Sequence, residues 1–286
     1  MINHRAIATF TAMAALLINT GAAGGRHKEI GRTTEKEINV VLSSGFGDVS
    51  ISRGEPGKIV IATPSDSGGI APIHLTYSVR NRVGYLEIIL GEGSEENEGE
   101  NKHWSFHGGR WDLKFCDAIP LSFDIEMGVG RGELNLSNLQ VRDLNLSTGA
   151  SEVTLTFDRE NTSLIDHLSI ESGFSRFTGL NLGNANFREF HFVGGVGTYY
   201  LDFSGNLSRE VDVNVEVGVG VLTMIVPPAV GARLSYDKSW ISPLKCDKDF
   251  KVVDEQEYVT ENYSDASGRM NIRVESGLGS VTIRRR

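Results

Sequence analysis

The sequence predicts an all-β protein built as a single-chain β-solenoid, and three observations predict it. Short runs alternate apolar and polar residues at period two, as in Phe123, Ile125 and Met127, which buries one face of an extended strand. Glycines interrupt these runs at tight corners, most plainly in Gly128-Val-Gly130, because a residue without a Cβ turns where others are strained. The unit then recurs: reference glycines Gly128, Gly149, Gly173, Gly195 and Gly218 lie 21, 24, 22 and 23 residues apart. A solenoid rung travels once around a fixed perimeter, which holds its length near a period of about 22 residues, whereas hairpin loops vary freely.

In chain order, Met1 to Ala23 place His4 and Arg5 before an apolar run, Ala6 to Ile18, and end on the small residues Gly21-Ala-Ala23. That order describes a secretory signal peptide over residues 1–23. The whole chain carries a net charge of −9; without residues 1–23 it keeps 27 basic against 37 acidic residues, or −10. Such a surface argues against nucleic acid as a partner, since phosphates demand basic side chains. No later stretch is long and apolar enough to span a bilayer, so the mature chain is expected to be soluble in the periplasm or secreted.

Residues 24–103 read as an N-terminal β-rich segment. It contains an early copy of the unit, Ser44-Gly-Phe-Gly-Asp-Val-Ser-Ile51, then strand-like runs Lys58 to Ala62, Ile73 to Val79 and Val83 to Leu90. Residues 91–102 form an acidic loop: Glu92, Glu95, Glu96, Glu98 and Glu100 crowd a stretch with nothing apolar to bury. Residues 104–286 form the main array. Its five successive copies run to Pro227-Pro228, which cannot donate ladder hydrogen bonds and so end a rung. A polar excursion, Gly231 to Glu261, follows, and Met270 to Ile283 is a final rung containing Gly277-Leu-Gly279. Arg284-Arg-Arg286 then reads as edge charge that discourages aggregation, or as a dock for an anionic membrane surface.

The candidate chemistry is sparse. Gly128-Val-Gly130 and Gly218-Val-Gly220 lack a third glycine and a following helix, so neither cradles phosphate. His103 and His107 stand four apart in a stretch without helical character, so no zinc pair is expected. His191, between Phe190 and Phe192, is expected on the outer surface. Glu126, Glu171, Glu216 and Glu275 each precede their rung's reference glycine by two residues, so they stack as an acidic column: a repeated solubilising position, or a binding or catalytic row. Cys116 and Cys246, the only cysteines, are able to form a disulfide in an oxidising compartment or remain buried thiols. No metal site and no cofactor is expected.

Trp111-Asp-Leu-Lys-Phe115 and Ile119-Pro-Leu-Ser-Phe-Asp-Ile-Glu-Met-Gly-Val-Gly-Arg-Gly-Glu-Leu-Asn-Leu-Ser-Asn-Leu139 resemble the toast-rack domain. Val217-Gly-Val-Gly220, Pro228-Ala-Val-Gly-Ala-Arg233, Glu261-Asn-Tyr263 and Ile272-Arg-Val-Glu-Ser-Gly-Leu-Gly-Ser-Val281 resemble the related LiaF-type C-terminal domain. The resemblance, which covers the chain from about Ile38, implies a bacterial envelope-associated β-solenoid without a known active site, with relatives in envelope-stress sensing or called adhesin-like. LiaF-type proteins carry transmembrane helices before this domain, where this sequence shows the signal-like segment. The expected function is therefore a non-catalytic, extracytoplasmic scaffold or binding protein whose partner is an envelope protein or glycan. The alternative is a polysaccharide-active hydrolase or lyase using the acidic column.

Overall fold

A computed structural model describes residues 27–65, 73–91, 94–96, 103–105, 109–237 and 242–286. The expected signal peptide, His107 and most of the acidic loop lie outside the described residues, as do the side chains of His103, Glu95 and Glu96. The described strands are β1 (Lys28–Gly31), β2 (Glu37–Arg53), β3 (Lys58–Pro64), β4 (Ile73–Arg80), β5 (Val83–Leu90), β6 (Ser94–Glu96), β7 (His103–Ser105), β8 (Gly109–Phe115) and β9 (Pro120–Asn135). They continue as β10 (Gln140–Thr156), β11 (Ile165–Leu180), β12 (Phe187–Asp202), β13 (Glu210–Val226), β14 (Gly231–Tyr236), β15 (Leu244–Cys246), β16 (Phe250–Asp254), β17 (Glu257–Thr260) and β18 (Arg269–Arg285).

Seven of these, each 16 or 17 residues long, are the rungs: β2, β9, β10, β11, β12, β13 and β18 pair in that order, all parallel. Their order makes the molecule a β-solenoid. The early copy around Gly45 is the first rung, and β2 pairs with β9 from Ile38 to Ile51. Each rung bends once at its glycines into two arms. In β9 the inward residues are Leu121, Phe123, Ile125 and Met127 before the corner, then Gly132 and Leu134 after it. The corner thus shifts the inward face from odd to even positions, which folds the second arm over the first. The arms meet across the core: Phe192 in the first arm of β12 lies 5.2 Å from Tyr199 in its second, ring centroid to ring centroid, and 5.4 Å from Phe177 of β11. Inward glycines make room where a ring is large; a Cβ on Gly194 would meet the Tyr199 ring at 2.5 Å.

Opposite the glycine corners, return loops carry the chain to the next rung. Their backbone is pinned by buried amides: Asn161 Nδ2 donates to the carbonyls of Val141, Ser163 and Ala185 at 2.6, 2.8 and 3.1 Å, and its Oδ1 accepts from Val141 N. Asn184 and Asn186 repeat the device one rung on, donating to Phe157 O and Asn161 O. Asn138, Asn181 and Asn186 take the left-handed conformation that the tight returns require.

The stack is closed at both ends by irregular additions. At the first rung, β5 pairs with the first arm of β2 and β8 with its second, and antiparallel β4 and β3 lie outside them. At the last rung, β14 and β15 pair with the two arms of β18, and β17 and β16 extend β14. Arg285 departs from the reading of the terminal arginines as edge charge. Its guanidinium turns into this cap and donates to the carbonyls of Pro227, Pro228 and Val230 and to Asn262 Oδ1, and only 5% of its side chain is exposed.

The possible disulfide between Cys116 and Cys246 is not made; both thiols are free. Cys116 follows β8 and Cys246 ends β15, which are separated along the path β8-β2-β9-β10-β11-β12-β13-β18-β15. At about 4.8 Å per strand that path exceeds roughly 30 Å, far beyond the Cα separation a disulfide tolerates. The Cys116 thiol instead donates to Pro56 O at 3.4 Å, and burial beside Asp247 pushes the Cys246 thiol up to about 12.

Candidate binding edge

The corner edge is where the rungs present a repeated surface. Each reference glycine sits directly on the one before it. A Cβ on Gly128 would meet Gly45 O at 2.4 Å, and one on Gly218 would meet Gly195 O at 2.8 Å. These glycines are required because parallel rungs pack backbone on backbone at the bend. In four of the five pairs the second glycine adds a torsional demand: Gly47, Gly130, Gly220 and Gly279 take φ 117, 145, 153 and 143.

Beside the glycines the four predicted acids fall in one column. The register runs Ser43, Glu126, Ser147, Glu171, Val193, Glu216, Glu275 across the seven rungs. All four carboxylates are exposed. Only Glu216 and Glu275 occupy adjacent rungs; Ser147 and Val193 separate the others. Among the described residues none of the four has an ion-pair partner. A shallow groove follows this column, with volumes of about 590 and 570 Å³ in two stretches that share Val193 and Gly195.

Sequence reasoning missed the column at the apex of the bend. The residue between the paired small positions is apolar in every rung: Phe46, Val129, Ala150, Phe174, Val196, Val219 and Leu278 stack in register. Phe174, on the central rung, is 72% exposed, and Val129, Val196, Val219 and Leu278 are 40–50% exposed. The signal was present in the repeats, since a turn between glycines ordinarily takes polar residues and here takes none. On the far side of the apex the acids are paired with arginines. Glu152 lies between Arg131 at 3.9 Å and Arg176 at 3.7 Å, and Asp48 accepts from Arg131 N and from Arg110. The edge therefore has an apolar crest, one flank with unpaired negative charge and one flank whose acids are held by arginines. His191 lies on the outside of its arm, half-buried between the inward Phe190 and Phe192.

A stack of bent parallel rungs closed by irregular caps defines a β-solenoid with a continuous exposed edge. The chain belongs to the family of the N-terminal domain of toast_rack (DUF2154), whose model matches residues 19–178. The matched stretch ends inside β11, so residues 217–281, which carry the likeness to LiaF-type domains, lie beyond it. Among solved structures, a candidate cell adhesion protein from Clostridium sporogenes ATCC 15579 is 19% identical, covering 92% of this chain and 100% of its own, with a TM-score of 0.44. A candidate adhesin from Bacteroides fragilis NCTC 9343 is 12% identical over 92% of this chain and 98% of its own, with a TM-score of 0.30. Another from Parabacteroides merdae ATCC 43184 is 9% identical over 93% and 98%, with a TM-score of 0.33. No curated protein matches the sequence.

Proposed function

We propose that this protein is a non-catalytic, adhesin-like binding or scaffold protein of the bacterial cell envelope, working outside the cytoplasm with its corner edge as the binding surface. The observation that carries the reading is the apex column: apolar side chains at every rung, held in water by a rigid stack that could equally have placed polar residues there. Exposed contiguous apolar surface of this kind marks contact sites. The acids support binding over catalysis. They project in one direction along a line, two rungs or about 9.6 Å apart for the first three, whereas a glycosidase pair faces its substrate from two sides of a cleft. The signal-like order of residues 1–23 supports an extracytoplasmic location, and an envelope protein or glycan is the partner class.

The test is capture from envelope extract by the full chain, beside a variant carrying Glu126→Gln, Glu171→Gln, Glu216→Gln and Glu275→Gln. Wild type is expected to retain an envelope protein or glycan that the variant releases. Failure of both to capture anything, together with release of reducing sugar from cell-wall or capsular polysaccharide, would replace this reading with the enzymatic one.

A further inference from the structure

From the crest and its acidic flank we infer the chemistry of the partner: a basic amphipathic α-helix lying along the edge, perpendicular to the strands. This inference rests on the binding reading above and narrows it. The crest from Val129 to Leu278 spans six rungs, or about 24 Å at 4.8 Å per strand, which is the length of about 16 helical residues. In the four rungs that carry one, the acid stands three residues before the crest, about 10 Å along an extended chain. A helix with its side chains is about 10–12 Å across, so one resting on the crest reaches the acid column with its flank.

The longitudinal spacing agrees as well. Glu126, Glu171 and Glu216 recur every second rung, about 9.6 Å apart. Basic residues one heptad apart on a helix are spaced by about 10.5 Å, so three successive lysines or arginines meet three successive acids with little drift. Phe174 supplies the central aromatic anchor. On the far flank Arg131 and Arg176 already hold Glu152, so that acid does not compete with the column for the helix's basic residues. An anionic lipid surface fits poorly, because the four unpaired carboxylates would repel it.

The experiment is fluorescence anisotropy of a labelled 21-residue helical peptide with a leucine stripe and lysine every seventh residue beside it. It is titrated with the full chain, next to a scrambled peptide of the same composition and a glutamate-for-lysine counterpart. Saturable binding of the first peptide alone is expected. Phe174→Ser should weaken it at least about tenfold, a hot-spot loss, and Glu171→Lys with Glu216→Lys should weaken it similarly and flatten its salt dependence. Phe174 is exposed, so the variant's unchanged thermal midpoint shows that the fold is intact. Equal binding of the scrambled peptide, no effect of either variant, or no peptide binding at all would overturn the inference. So would Phe174-dependent sedimentation with phosphatidylcholine vesicles in place of peptide binding. Loss of the peptide result alongside retained envelope capture would sink the helix and leave the binding reading standing.

Discussion

Gly220 shows how closely the bend constrains single positions. Its φ of 153 lies where side chains are rarely found, and a Cβ there would meet Gly197 O at 2.0 Å, a backbone atom that cannot turn aside. Gly220→Ala is therefore expected to lower stability by about 2–4 kcal/mol, while Gly57→Ala, with nothing within 4 Å of the added methyl, should stay within about 0.5 kcal/mol. Thermal midpoints of the two variants check this. Glu35 constrains the first cap. Burial alone would raise its carboxyl pKa, but Thr33 donates through N and Oγ1, both at 2.7 Å, and the balance holds it below the ordinary value of 4.5. A folded pKa below the unfolded one contributes stability above about pH 4.5 that is lost as pH falls through the folded value. A midpoint-versus-pH series from 7 to 3 should thus show a steeper acid loss in wild type than in Glu35→Gln.

At the scale of the rung, what the sequence made legible follows from what repeats. All seven glycine corners are visible, five by their spacing and those at Gly45 and Gly277 by the strand-glycine-strand motif, because each rung imposes the same steric demand at the same place. The inward face is legible on both arms, since alternation at period two is a local property. The return loops are less so: Asn161, Asn184 and Asn186 act through bonds to neighbouring rungs, and in sequence they resemble any polar turn. The end caps are less legible again, because β3, β4, β16 and β17 pair antiparallel with neighbours set by the ends of the stack rather than by the repeat. In the sequence Arg285 reads as edge charge for that reason; its carbonyl partners sit on a loop more than fifty residues earlier. Asn161→Leu is expected to cost about 2–4 kcal/mol, because one buried amide ties two adjacent returns to the strand start at Val141. Equilibrium denaturation measures it, and a loss below about 1 kcal/mol would show that the ladder bonds suffice alone.

For the whole molecule, stacking converts a one-residue choice into a surface. An apolar residue between two small ones is unremarkable once; repeated on parallel rungs it becomes a crest, and the acid two residues before four of the seven reference glycines becomes its flank. Neither is visible from a single copy, and the acid column is legible only because four of the copies share it. Caps cover both ends of the stack, and the corner edge carries the repeated exposed apolar column, which favours it over the sheet ends as the binding surface. The most direct measurement is hydroxyl-radical footprinting of the full chain with and without envelope extract. Phe174, Val196 and Leu278 should lose reactivity together, while Val252 and Val253, 67% and 64% exposed on β16, keep theirs. Unchanged reactivity along the crest with protection at Val252 and Val253 would contradict the assignment of the corner edge as the binding surface.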